Sequence, residues 1–557
     1  MAEVRITRTC RLGLAFVLLA AAAPAAANVD DRAELAAYAK ARAADTFGAS
    51  GDAARGYAAL LALSPGNELL ASRALGQAIE AGDYQVALQA ARILGKAGQL
   101  APEARLILLS EALRTRDWKA ATTQVDAIAA DEVFSFMAPT LRAWIAFESR
   151  RGDPFAILDG ARSNALALTY AAEQRPFLLL ASGKREQGAA ELLRLTEAGG
   201  GRAHRLRIAG AALLARKRDR ERAAGLLAGD AAPLRAARAL LERRKPIPGE
   251  IANARAGIAE FLVRVAVDLQ RQEATAIALV HARLATFLAP ENSETWLVAS
   301  DLLQAQGKTR DAIAVLANVA ADDPFVSHAV DSRTRLLLQV EDKKAALAEA
   351  EAATQGPGAT ASDWSRLGEV YGAMERHAES AEAYARAIAL AGNDPGAGPL
   401  WTLWLLRGGA LDEAGRWPEA KAALTEAYKL APNQAMVLNY LGYAQLERRE
   451  NVAEAERLIR EASRLEPDDA AITDSLGWAH YIGGNLPRAI ELLEKAAEGE
   501  PADPAINEHL GDAYYSAGRR YEARYAWEAA LLYAEDEDAK RLRAKIDAGL
   551  TPKLAAP

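Results

Sequence analysis

Apolar and polar residues follow a helical period along almost the whole chain, and over residues 401–535 the pattern itself repeats. Leu441-Gly442, Leu476-Gly477 and Leu510-Gly511 recur at near-constant spacing. Ala420, Ala455, Ala489 and Ala523 recur in step with them, as do Pro432, Pro467 and Pro501. Pro467 and Pro501 are 34 residues apart, and Pro432 lies one residue farther from Pro467. Each unit reads as two antiparallel helices, A and B, which cannot bury their apolar faces alone and so stack on their neighbours. The glycines fall where helix A meets helix B, and the alanines are the matching small residues on B. Four positions later B carries a large residue, Leu424, Leu493 or Trp527, with Tyr384 in the same place of an earlier unit. A proline closes each unit because it cannot continue helix B. Asp468-Asp469 and Asp503 then read as N-caps of the next helix.

These residues and this period resemble the tetratricopeptide repeat (TPR), W-x2-L-G-x2-Y…A-x3-F…P. The resemblance implies an all-α fold: a right-handed superhelical solenoid of TPR and TPR-like helical hairpins, with a concave groove lined by the A helices. Residues three or four apart on helix A share one face. Here that face carries Asn439 and Tyr443, then Asp474, Trp478, Tyr481 and Ile482, then Glu508, Asp512 and Tyr515. Aromatics alternate with carboxylates, and none stands at an expected core slot. Exposed Trp and Tyr with flanking charge are the composition of a binding hot spot, so these residues are expected to form a protein-binding groove. The other reading packs the aromatics against the neighbouring repeat.

Outside the regular array the repeat is looser. Residues 28–245 read as divergent TPR-like hairpins, with inter-helix turns at Gly82-Asp83-Tyr84, Arg116-Asp117-Trp118 and Gly152-Asp153-Pro154. Gly183-Lys184-Arg185 and Lys217-Arg218-Asp219 look like two more. Lys245-Pro246-Ile247-Pro248-Gly249 breaks the helical pattern and is a plausible hinge. Residues 250–358 form a middle TPR block in which Pro290 and Pro324 are again 34 residues apart. Gly/Pro-rich breaks over 355–358 and 392–399 interrupt the array, which otherwise runs regularly over 359–535. A polar capping helix is expected over 536–549, as a solenoid end requires, and a disordered tail over 550–557.

The first 27 residues read as a signal peptide. Arg5, Arg8 and Arg11 precede a short apolar run from Leu12 to Ala23, and Ala25-Ala26-Ala27 fits the cleavage rule. Export to the periplasm is therefore expected, with an uncleaved signal anchor as the alternative. The mature chain has no transmembrane segment and no cysteine, since Cys10 lies in the leader. That excludes disulfides, a thiol nucleophile and Cys-ligated zinc. Ala and Leu dominate, with many Glu and Arg and no runs of Val, Ile and Thr, which argues for an all-α protein. The formal net charge of −7 is small for this length and gives no reason to expect nucleic acid. From Arg202 to Lys245 arginines outnumber carboxylates. This segment reads as a solvated helix face, or as a contact for an anionic glycan, a lipid headgroup or an acidic partner.

No phosphate-binding loop, H-E-x-x-H, G-x-S-x-G or dinucleotide fingerprint occurs. The six histidines are scattered: His480 replaces a core tyrosine and His509 lies near the start of an A helix. Carboxylates mostly stand one helical turn from Arg or Lys, as Glu491 does from Lys495, which marks solvated faces. No catalytic residue, cofactor or metal is expected, and the chain is not expected to be an enzyme.

The strings Leu438-Asn439-Tyr440-Leu441-Gly442-Tyr443, Asp474-Ser475-Leu476-Gly477-Trp478 and Ile506–Tyr514 are more specific than a generic repeat. They are similar to exported bacterial TPR proteins of the alphaproteobacterial type, and to the C-terminal repeats of a TPR adaptor lipoprotein serving a carboxyl-terminal processing protease. That resemblance implies a scaffold or adaptor whose protein partners include an envelope protease or cell-wall hydrolase. The chain lacks a cysteine at the cleavage point, so lipid anchoring is not carried over. A scaffold of exopolysaccharide or lipopolysaccharide export is the alternative.

Overall fold

The computed structural model describes residues 29–197, 199–355, 358–392 and 398–556. The expected signal peptide over residues 1–27, with Arg5, Arg8, Arg11 and Cys10, lies outside them, as do parts of the two Gly/Pro-rich breaks and Pro557. Among the described residues every regular element is a helix, 30 α-helices with two short 3-10 turns. The fold is all-α, built of successive helical hairpins. Two compact units emerge: one joins the chain up to Gly188 with Ile251–Val298, the other joins Ala189–Glu250 with Ala299 onward.

In the first unit the divergent turns sit where the sequence places them. Gly152 has positive φ (94), and Gly82 takes the left-handed conformation that ends a helix (φ 80), as Arg150 does before Gly152 (φ 56). Arg116 adopts it without being glycine (φ 57). Asp83, Asp117 and Asp153 each follow as N-caps, accepting from Val86, Ala120 and Phe155 backbone N–H at 3.1, 3.0 and 2.9 Å. Helix Ala254–Arg271 packs on helix Ala138–Ser149 because Gly257 has no side chain. A Cβ there would meet Trp144 at 2.0 Å. Trp144 is buried, and its indole N–H donates to Gln174 at 3.0 Å.

In the second unit some of the arginines between Arg202 and Lys245 are committed to the fold. Arg205, buried, donates to the Gly249 carbonyl at 2.8 Å and holds the Pro-rich break against its own helix. Arg207 donates to the carbonyls of Leu226 and Ala228, Arg220 donates to that of Leu241, and Arg216 pairs with Glu250. Leu226 and Leu241 lie at helix ends, where carbonyls lack a partner inside their own helix, and the Gly249 and Ala228 carbonyls lie in loops. Arg205 and Arg207 thus take a structural role, while Arg216, Arg218, Arg220, Arg222, Arg243 and Arg244 stay exposed, as a solvated face requires.

Five regular hairpins follow. Their A and B helices are Ala361–Ala373 and His377–Ala391, Leu400–Glu413 and Trp417–Leu430, Ala435–Glu447 and Val452–Leu465, Ala470–Ile482 and Leu486–Gly499, Pro504–Ser516 and Arg520–Leu531. One close approach recurs in each. A Cβ on Gly368, Gly408, Gly442, Gly477 or Gly511 would lie 2.9, 2.6, 2.8, 2.8 and 2.3 Å from Tyr384, Leu424, Ile459, Leu493 and Trp527 respectively. In the third hairpin the partner is one residue later than in the others. The extra residue between Pro432 and Pro467 is absorbed in that A–B turn, where Arg449 and Asn451 are both left-handed (φ 51 and 50). Ala420, Ala455, Ala489 and Ala523 are fully buried beneath these contacts. Asp469 and Asp503 cap the fourth and fifth A helices, accepting from Ile472 and Ile506 N–H at 2.8 and 2.9 Å.

The terminal helix Asp536–Ala548 is polar, yet it docks through buried Leu542 and Lys545. The end of the tail over 550–556 returns to the last repeat. Ala556 is buried and donates its N–H to Asp512 at 2.8 Å.

The hairpin contact makes a paired prediction. Gly511→Ala overfills a close-packed interior, so its unfolding midpoint should fall, at a cost of about 1–3 kcal/mol. Gly76 stands exposed inside helix Glu68–Ala81 with nothing within 4 Å of its Cβ position. Gly76→Ala should therefore stabilise by about 0.5–1 kcal/mol. Thermal melts of the two variants test this, and a neutral Gly511→Ala would show that the A–B contact yields.

Candidate functional site

The A helices of successive hairpins lie side by side, and their shared face carries the residues that the sequence pattern singles out. The structure divides them. Trp478 is 2% exposed. It stacks on Tyr481 of its own helix (4.5 Å between ring centres, 12° between planes) and on His509 of the next A helix (4.1 Å, 16°). The expectation that Trp478 stands off the core is overturned. The next hairpin covers it, and the aromatic stack joins the fourth hairpin to the fifth. Its indole N–H is buried without a partner.

Asp474, Glu508 and Asp512 are likewise interior rather than groove surface. Asp474 faces His509, with Nδ1 2.9 Å from its carboxylate. Burial opposes a charged imidazole there, but Asp474, with Asp512 and Glu508 behind it, raises the His509 pKa above its ordinary value. Glu508 accepts from Arg541 at 2.7 and 2.6 Å and from Lys545 at 2.7 Å. Asp512 accepts from Lys545 at 2.7 and 2.8 Å and from the Trp527 indole at 2.9 Å. Lys545 and Asp512 have no exposed side-chain surface. These charges clamp the terminal helix onto the last repeat. Tyr481 is half-buried with its hydroxyl 3.0 Å from Ser516, and Tyr515 is half-buried beside Trp527.

Asn439 and Tyr443 are half-buried. They line a pocket of about 340 Å³ formed by the A helices of the second to fifth hairpins. Asp412, Glu413, Glu447 and Asp503 also line it, with Tyr440. Asp412 is paired with Arg448, and Asp503 with the helix it caps. Burial pushes the Glu447 and Asp412 carboxyls above their usual range, although Arg448 pulls both down. Tyr443 is driven well above an ordinary phenol by burial, with Glu447 adding to it. The Asn439 side-chain oxygen is buried without a donor. Glu413, Tyr440 and Glu447 escaped the sequence reading, because their place on the face depends on which turn of each A helix the neighbour leaves uncovered. His480 is only half-buried and lies outside this pocket. Among the described residues no group of three or more His, Cys, Asp or Glu is placed to hold a metal ion. No helix among them is long and apolar enough to cross a membrane.

Two stability predictions follow from the buried charges. Lys545→Met strands Asp512 and Glu508 without their shared cation, and breaking such a pair costs about 3–5 kcal/mol. The melting midpoint should drop sharply; a small change would mean that water reaches the carboxylates. His509 has a raised folded pKa, so its charged form adds stability that is complete below the unfolded value of about 6.5 and is lost as pH climbs through the folded one. Between pH 6 and 9 the wild-type midpoint should therefore fall more steeply than that of His509→Gln. Parallel curves would mean that His509 is neutral throughout.

The Tetratricopeptide repeat family profile matches residues 365–435, 405–470, 441–504 and 475–540 in overlapping pairs of hairpins. No curated protein matches the chain. Similar solved structures include the APC/C Cut9–Hcn1 hetero-tetramer, 14% identical over 93% of this chain and 96% of that one, with a TM-score of 0.38. Yeast Tom70 is 11% identical over 93% and 96%, at a TM-score of 0.35. Pseudomonas aeruginosa PilF is 18% identical over 39% of this chain and 97% of its own, at 0.32. Likeness at these scores says nothing of partners. The profile match, the 34-residue period and the five glycine contacts agree on one assignment: residues 365–540 form a tetratricopeptide repeat array.

Proposed function

We propose that the chain is a non-catalytic protein-interaction scaffold of the bacterial envelope that holds a basic segment of its partner in the pocket on the A-helix face. The carrying observation is the charge of that pocket. Asp412, Glu413, Glu447 and Asp503 line it, with Arg448 beside Asp412 and Glu447, while buried Asp474 is paired with His509, the one basic residue among its described lining. Carboxylates whose pKa is raised by burial gain most from an entering cation, because it removes the penalty on their charged form. Tyr440 and Tyr443 supply flat apolar walls for the stem of a lysine or arginine. The helices are already stacked, so the receptor does not have to fold to bind.

The envelope location and the adaptor role in protease or cell-wall hydrolase work rest on the leader pattern and on the specific strings of residues 438–514. Export of polysaccharide is the second reading. It rests on the leader alone, and nothing in the pocket favours a neutral or anionic polymer.

Titration of a labelled Lys/Arg-rich peptide against the chain and a Glu413→Gln/Glu447→Gln variant tests the pocket. Loss of tenfold or more in affinity is expected, with weaker binding at high salt and as pH falls and Glu447 takes up a proton. Binding indifferent to both substitutions would sink the pocket. Crosslinking in cells with the same pair tests the role. A protease or hydrolase recovered only by the wild type supports the adaptor, whereas export components would replace it with the second reading.

A further inference from the structure

The far end of the same A-helix face, beyond the pocket, is already covered. After the terminal helix, Gly549 turns the chain with positive φ (85), so close to Tyr515 that a Cβ would meet its hydroxyl at 2.3 Å. Leu550 then packs beside the Trp527 cluster. Residues 551–555 make a tight turn, with the Leu554 and Ala555 N–H groups both donating to the Thr551 carbonyl. Ala556 ends in an apolar cluster with Leu446, Ile459, Leu476, Trp478 and Leu492, edged by Tyr443 and Tyr481. Its N–H donates to Asp512. A short stretch of chain thus lies on the face that a repeat array offers to peptides, held by one backbone hydrogen bond, by Ala556 and by the half-buried Leu550.

We infer that Asp512, with the wall of Trp478 and Tyr481, is a docking slot for a short peptide segment carrying small apolar residues, and that residues 550–556 fill it in cis. The inference rests on reading the A-helix face as the binding face, and it names a second kind of ligand for it.

Three observations support an exchangeable occupant over a fixed part of the core. Thr551, Pro552 and Lys553 are exposed, so the middle of the segment stands free of the repeats, while Leu550, Leu554 and Ala555 are half-buried. Among the described residues, the hydrogen bond from Ala556 is the one that ties it to the repeats. Asp512 keeps Lys545 and the Trp527 indole when the segment leaves, so departure strands no buried charge. A tethered segment acts at an effective concentration in the millimolar range. It therefore excludes weak competitors and admits a partner that binds more tightly.

The test uses a fluorescein-labelled peptide of residues 550–556, with anisotropy read against three proteins: the full chain, the chain lacking residues 550–557, and full-length Ala556→Pro, which has no N–H to give. The peptide should bind the shortened chain and the Ala556→Pro chain at least tenfold more tightly than the full chain. A peptide with proline in the Ala556 place should bind none of them. If the shortened chain fails to fold, as read by its helical circular dichroism, Ala556→Pro decides. Folded variants that bind no better than the full chain overturn the slot. The basic-peptide titration at Glu413 and Glu447 uses a different ligand and different residues, so loss of the slot is distinguishable from loss of the pocket.

Discussion

The array depends on one missing side chain per hairpin. Where Gly368, Gly408, Gly442, Gly477 and Gly511 stand, helix B presses a large residue into the space that any Cβ would take. That approach sets the distance between A and B, and the buried alanines beneath it set how deeply the helices nest. The hairpin is then a fixed shape with apolar faces on both sides, and stacking the next hairpin is how it buries them. The third hairpin shows what is conserved in this arrangement and what is free. Its A–B turn is longer by one residue, its glycine meets Ile459 instead of Leu458, and the stacking continues unchanged.

A stack leaves an unburied face at its last hairpin, and this chain closes it with charge as much as with apolar surface. Leu542 and Trp527 meet in the core, but around them Lys545 and Arg541 reach back to Asp512 and Glu508. Buried ion pairs contribute little net stability against an apolar equivalent, and they are strongly unfavourable when mispaired. Their effect here is on register. The terminal helix has one position in which both cations find their carboxylates, and a shift by a turn would strand them. Against burial, the His509 pKa is raised chiefly by Asp474, with Asp512 and Glu508 of the end cap adding to it, so the cap and the Trp478 stack meet at one histidine.

The A–B register was legible in the sequence because it is local: Gly477 and Leu493, or Gly511 and Trp527, lie within one hairpin and announce themselves by type. The N-caps and divergent turns were legible for the same reason. The face residues were not. Trp478 and His509 are brought together by the superposition of one hairpin on the next, and no property of Trp478 by itself tells a groove aromatic from one roofed by a neighbour. Asp512 and Glu508 looked like a binding surface because their partners, Lys545 and Arg541, stand in a helix that reads as polar and solvated. Within 202–245 the part not legible was that of Arg205 and Arg207, which donate to backbone carbonyls, and those carry no signal in the sequence.

What remains open on the A-helix face is acidic at one end and occupied at the other. The two ends share a wall. Tyr443 borders the pocket and edges the cluster that receives Ala556, and its hydroxyl lies 3.5 Å from His509 Nε2. The stack of His509, Trp478 and Tyr481 separates the two ends and is rigid, being interior and flat against its neighbours. A ligand in the pocket therefore meets the back of the surface that holds the segment. A partner long enough to use both ends gains the pocket's charge from its basic part and must replace the Asp512 contact with the rest. Such an arrangement separates affinity, which the carboxylates supply, from admission, which the chain's own segment controls.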